Sequence, residues 1–210
     1  MNFQTYVINL PHRKDRRSEA EKELKKIGLC DNLVEFLPAK MTMRNGLIGC
    51  GFSHAFALSK FLFESEGDAC VIFEDDFHIV EPDKFNERTA EVLASEDGWD
   101  VLFLASNQAI PVAPTKFSGV YKIHNAQTAS AYVVKRAYAP KLIKLFFEAG
   151  NRLSALSLST DKKIINHFYG HDMIWKTLQL EDNFWAFLPA LCIQRESFSD
   201  IEQRVVAYGV

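Results

Sequence analysis

The chain offers little for metal or redox chemistry through cysteine. It has four in 210 residues, Cys30, Cys50, Cys70 and Cys192, far apart and without C-x-x-C or Cys/His ligand spacing. That spacing lends no support to a zinc or dithiol motif, and the expectation is buried reduced thiols. An excess of one sign of charge is also missing. With 24 basic against 27 acidic residues the formal net charge is -3, so nothing sequence-wide attracts nucleic acid, and membrane association would be peripheral at most. Nor does any segment offer the roughly 20 consecutive apolar residues that a bilayer span needs. The opening MNFQTYVINLP carries no basic leader, long apolar core or small-residue cleavage site, so a soluble, cytoplasmic chain is expected. No repeat, low-complexity tract or inter-domain linker interrupts it. At 48% hydrophobic residues, it has enough apolar chain for one compact domain.

What is present alternates. TYVINL is β-branched and aromatic over one strand length and is stopped by Pro11. HRKDRRSEAEKELKKIG follows, with Ala20, Leu24 and Ile27 at helical spacing and Lys25, Lys26 and Gly28 at its end. NLVEFLPA reads as a strand and KMTMRNG as a linker. A mostly buried helix is expected from about Ser53, capping its start, to Ser65. DACVIF is a strand, Pro82 to Ser95 a helix, WDVLFLA a strand, and GVYKIH and TASAYVVK two more. Arg136 to Gly150 is a helix with Pro140 in its first turn. SALSLSTDKK reads as a polar loop, HDMIWKTLQLED as a helix, and FWAFLPALCIQ as a strand pair or extended segment. Strands alternating with helices imply an α/β sheet, mostly parallel in the first half and more irregular in the second.

Three places carry chemistry. VIFEDDF sets Glu74, Asp75 and Asp76 at the carboxyl end of a buried strand, where ligands collect in open α/β sheets. Adjacent carboxylates repel unless they share a cation, and oxygen ligands suit magnesium or manganese, which grip phosphate. The plain alternative is a turn or helix-capping pair. In INLPHRKDRR, Asn9 at a strand tip and Arg13 and Arg16 in a helix's opening turn are placed for a ribose, a base or a phosphate, or else form a solvated basic face. In GLIGCGFSHAFAL, glycines 46, 49 and 51 permit close backbone approach beside Ser53 and His54. Adjacent side chains on a helix diverge, which excludes a Ser-His nucleophile pair. His54 is equally a hydrogen-bonded structural residue.

Together these blocks resemble glycosyltransferase family 25, the group of bacterial lipopolysaccharide galactosyltransferases and collagen galactosyltransferase modules. YVINLPHRKDRR matches its opening block, with His12 beside the expected arginines, and GLIGCGFSH and VIFEDD match the next two. TASAYVVKRAYAPKL, HDMIW and QRESFSDI complete six blocks in order. Ser130 stands where the family has glycine, and Gln108 to Val120 matches nothing.

The resemblance implies a GT-A type, Rossmann-like single domain over residues 1–210, with a mixed, mostly parallel central sheet. Its nucleotide-binding half would be about 1–105 and its acceptor-side half about 106–210. It implies a manganese- or magnesium-dependent inverting transferase moving galactose or a similar hexose from a nucleotide-sugar, with UDP the expected nucleotide, to a glycan, glycolipid or glycoprotein. Asp76 and Glu74 would hold the metal. Asn9, Leu10, Arg13, Glu74, Asp75, Ser53 and His54 would hold the donor, with Arg17 pointing away from the cleft. Asp172 would be the general base, or His171 as base or further metal ligand; the alternative for Asp172 is helix N-capping. Tyr169 and Trp175 would stack on a sugar or pack in the core. A metal-dependent phosphohydrolase or nucleotidyltransferase, and a non-catalytic nucleotide-sugar-binding module, are the competing classes.

Overall fold

Alternation along the strands builds two core layers, because successive side chains of a strand face opposite ways. In β1 (Phe3–Asn9) Tyr6 and Ile8 enter one layer and Val7 the other. α1 (Lys14–Lys26) buries Ala20, Glu23 and Leu24 and ends on Lys25 and Lys26, cations that suit the negative end of a helix. β2 (Val34–Pro38), α2 (Gly46–Glu64) and β3 (Ala69–Glu74) follow, and both strands lie parallel to β1, one on each side. Next come β4 (Phe77–Ile79), α3 (Pro82–Leu93), β5 (Val101–Phe103), β6 (Ile110–Pro114), β7 (Val120–His124) and β8 (Ala131–Lys135). The last third holds α4 (Ala139–Leu156), α5 (Lys162–Tyr169), α6 (His171–Ile174), a 3-10 turn (Trp175–Leu180), β9 (Phe184–Phe187), β10 (Cys192–Gln194), β11 (Ser197–Ser199) and β12 (Arg204–Val206). This computed structural model describes residues 2–29, 33–42, 45–95 and 98–207. Cys30 and part of the KMTMRNG linker lie outside them.

The central sheet runs β2-β1-β3-β8-β5-β9-β7-β6. β8 is antiparallel to both β3 and β5, β9 is parallel to β5, and β7 is antiparallel to β9 and β6. Six strands therefore point one way and only β8 and β7 the other, the mixed, mostly parallel sheet expected. One face carries Ile72, Phe103 and Tyr132 against Leu58 and Phe61 of α2 and Leu142 and Phe146 of α4. The other carries Phe73, Leu102 and Val133 against Leu24 of α1 and Phe85 and Val92 of α3.

Several boundaries differ from expectation. α2 begins at Gly46, capped by Asn45, whose side chain accepts from the Leu47 amide at 3.1 Å. Ser53 is thus inside the helix and caps nothing; its hydroxyl donates to the Gly49 carbonyl at 2.7 Å and accepts from the Lys40 amide at 2.7 Å. Glycines so close together suggest loop, but a Cβ at Gly49 would meet the Lys40 carbonyl oxygen at 2.1 Å, and packing overrides propensity. α2 is also long and apolar enough, by length and composition alone, to cross a membrane, although half of it is buried inside this fold. α4 continues past Gly150, where the Phe52 ring would lie 2.5 Å from a Cβ. SALSLSTDKK is therefore not one loop: it supplies the end of α4 and the start of α5, which Asp161 caps by accepting from the Lys163 amide at 2.7 Å. The unplaced stretch from Gln108 to Val120 contains β6.

Candidate active site at the tip of the third strand

The acidic trio divides. Glu74 ends β3 in the alternation of Cys70 and Ile72, on the α2 side, while Asp75 and Asp76 form the turn into β4 beside α1. Asp75 is buried and fully engaged: Oδ2 accepts from Asn9 Nδ2 at 2.6 Å and Oδ1 from Arg16 Nη1 at 2.9 Å. Asp76, equally buried, has Oδ2 3.2 Å from Arg16 Nη1 and accepting from Gln194 Nε2 at 3.1 Å. Its Oδ1 is buried with no hydrogen-bond partner. Burial, and then the neighbouring Glu74 carboxylate, raise the Asp76 carboxyl well above the ordinary range, against the pull of Arg16. One guanidinium is shared by two carboxylates, and among the described residues nothing donates to Asp76 Oδ1.

Arg16 also donates from Nη2 to Ser197 Oγ at 2.7 Å and to the Phe198 carbonyl at 2.8 Å, drawing the β11–β12 hairpin over the first turn of α1. Arg13 is held elsewhere. Its Nη1 donates to Asp200 Oδ2 at 2.5 Å and its Nη2 to Asp15 at 2.8 Å, while Leu10, half-buried, only accepts the Arg13 amide at 2.8 Å. Arg17 faces β2. It lies 4.3 Å over the Phe36 ring and, with Asn9, Pro11 and Lys14, lines a cleft of about 530 Å³ between α1 and β2.

On the α2 side, Glu74 Oε1 accepts from Cys50 Sγ at 3.3 Å and lies 3.0 Å from His54 Nε2. His54 Nδ1 is 2.8 Å from the Tyr132 hydroxyl, and the His54 and His171 rings stack with centroids 4.7 Å apart. Burial pulls His54 down to about 3 and His171 below its ordinary range, and pushes the Glu74 carboxyl and the Cys50 thiol up. Both imidazoles are therefore neutral near pH 7. Asp172 follows His171 in α6, half-buried; Gly170 holds the cap position, so Asp172 does not cap the helix. Among the described residues its Oδ2 accepts a single long bond, 3.4 Å, from the Thr128 amide. Thr128 has φ 77, rare for a β-branched residue and the kind of local strain that accumulates at functional sites.

Trp175 is fully buried against Phe103, Tyr132 and Phe146, which makes it core and not a sugar platform. Tyr169 packs on the small cluster of Ile48, Leu153 and Ile165. Ser130, the departure from the family's glycine, is fully buried and its carbonyl accepts the Glu74 amide at 2.9 Å. Sequence reasoning gave no role to Cys50, Gln194 or Thr128 and preferred Arg13 to Arg16. Only the helix register, which turns Arg16 and not Arg13 toward β3, separates the two arginines.

No family model matches the chain, and no curated protein matches it. Solved structures do. A mannose-1-phosphate geranyltransferase from Thermus thermophilus superposes with a TM-score of 0.56 at 11% identity, covering 93% of this chain and 75% of that one. A glycosyltransferase involved in glycosylation of the major capsid of PBCV-1 gives 0.52 at 9% identity, covering 92% and 93%. At such identities the likeness establishes the fold: a mixed α/β sheet of the Rossmann-like, GT-A kind.

Proposed function

We propose that the chain is a metal-dependent, inverting glycosyltransferase of the cytoplasm. It would move galactose or a similar hexose from a UDP-linked sugar to a hydroxyl of a glycan, glycolipid or glycoprotein. The observation that carries this reading is Asp76, a buried carboxylate at a strand tip with Oδ1 unpartnered. Such an oxygen is costly to leave unsatisfied, and a hard divalent cation satisfies it. Asp76 would hold manganese or magnesium, which when bound stabilises charge building on a leaving diphosphate. Glu74 has an oxygen already shared between Cys50 and His54, so Asp76 is the stronger ligand of the two.

The chain's own residues supply the rest. The cleft between α1 and β2 offers Arg17, stacked on Phe36, and the Asn9 tip to a nucleoside. Asp75, locked by Asn9 and Arg16, holds the tips of β1 and β3 and the start of α1 together. In the reaction the acceptor oxygen bonds to the anomeric carbon as the bond from that carbon to the diphosphate breaks. The electron pair leaves with the nucleoside diphosphate, and the acceptor's proton passes to the Asp172 carboxylate. One structure of similar fold is named a glycosyltransferase, an agreement that rests on fold alone.

Calorimetric titration with UDP-hexoses, with and without manganese, tests it together with product analysis. Metal-dependent binding and release of UDP on adding acceptor are expected. Equal affinity without metal would remove the cation assignment. Pyrophosphate release from a nucleoside triphosphate and a sugar phosphate would move the chain to the nucleotidyltransferases.

A further inference from the structure

Cys50, His54, Glu74 and His171 meet at the junction of α2, the β3 tip and α6, with one ligand atom from each lying within 4.8 Å of all the others. Cys50 and His54 are four residues apart in one helix, so they share a face. α6 packs close to α2 here: a Cβ at Gly51 would touch His171 Cβ at 3.4 Å, an ordinary contact. A tetrahedral zinc ion with bonds of about 2.0 to 2.3 Å sets its ligand atoms about 3.3 to 3.8 Å apart. The separations here are 3.3 Å for Cys50 to Glu74, 3.8 Å for Cys50 to His171 and 3.0 Å for His54 to Glu74.

Two further observations point to a ligand. His171 is only 4% exposed, and its Nε2, the nitrogen 3.8 Å from Cys50 Sγ, makes no other hydrogen bond among the described residues. Among the described residues, no lysine or arginine pairs with Glu74; its side-chain partners are the His54 imidazole and the Cys50 thiol. His54 has the outer partner that a ligating imidazole takes, the Tyr132 hydroxyl at 2.8 Å from its free nitrogen.

We propose that Cys50, His54, Glu74 and His171 form a zinc-class metal site. The thiolate and two imidazoles suit zinc over magnesium or manganese, and four protein ligands make the closed set of a structural site. It differs in donors from the oxygen site at Asp76 and does not rest on the glycosyltransferase reading. Its consequence is a clamp: α6, which carries Asp172, is tied to α2 and β3.

Metal analysis and cobalt substitution of the 210-residue chain test the site. One zinc per chain is expected. After exchange, cobalt should show a thiolate-to-cobalt charge-transfer band and the intense visible bands of a four-coordinate ion. Cys50→Ser should abolish the charge-transfer band and weaken metal binding by at least about 10-fold, whereas Asp76→Asn should leave the spectrum unchanged. Absence of the thiolate band in the cobalt-loaded wild type overturns the proposal, whatever the variants do. So does its survival in Cys50→Ser.

Discussion

Asp172 is a carboxylate with one long hydrogen bond, from the strained Thr128 amide, and Lys176 one turn onward on the same segment. A group so lightly held keeps a lone pair for an incoming proton. Replacing it with Asn preserves shape and removes basicity, so transfer should fall by roughly 10² to 10⁴-fold with donor affinity nearly intact. Initial rates at saturating acceptor, beside a donor titration, check this; near-normal turnover in Asp172→Asn would remove it as base. At this scale the sequence showed which residue types matter but not how they pair. VIFEDD reads as one acidic cluster, yet its first carboxylate meets a thiol and imidazoles and the other two meet Arg16. Cys50 looked inert because its neighbours His54, Glu74 and His171 come from three separate segments, and no spacing rule in one stretch can reveal that.

Elements were legible where periodicity was strong and less so where packing decided. β1, α1, β3 and α3 fall where alternation and helical spacing put them. The start of α2 does not, because three glycines in its first turns hide a helix that tertiary contacts enforce. Its other end depends on a residue far along the chain. The Arg136 guanidinium donates to the carbonyls of Gly67 at 2.6 Å, Leu62 at 3.2 Å and Phe61 at 3.3 Å, and to Ser65, and it lies 4.4 Å over the Phe61 ring. Leu62 lies in the last turn, whose carbonyls a helix leaves unsatisfied, and Ser65 is the C-cap, while Gly67 lies in the loop beyond and Phe61 also accepts the Ser65 amide. Arg136→Ala should therefore lower stability by about 2 to 3 kcal/mol, the scale of several charge-assisted bonds lost with their acceptors left behind. Denaturant unfolding monitored by circular dichroism reads the change, and a loss under about 0.5 kcal/mol would mean that water replaces the cap.

Over the whole molecule, the order β2-β1-β3-β8-β5-β9-β7-β6 interleaves the chain. β8 sits between β3 and β5, so residues before and after 105 share one sheet. A cut there leaves β3 and β5 without their common neighbour. Fragments 1–105 and 106–210 should each fail to fold cooperatively, while the intact chain unfolds in one transition. Trp175 in one core layer and Trp99 and Trp185 in the other make fluorescence sensitive to both, and separate fluorescence and circular dichroism midpoints would refute this. The alternating pattern indicated an α/β sheet, but strand order depends on pairings between distant segments, which local periodicity does not encode. One consequence concerns error. If β3 slipped by one residue, Asp75 would take the place of Glu74 and Asp76 that of Asp75, so a carboxylate would still arrive at both positions. Phe73 would then take the place of Ile72, Ile72 that of Val71, and the Glu74 carboxylate would enter the apolar layer that holds Phe73. The first two places of the acidic triplet thus tolerate misalignment, and its first member polices it, because a slip would drive that carboxylate into the core.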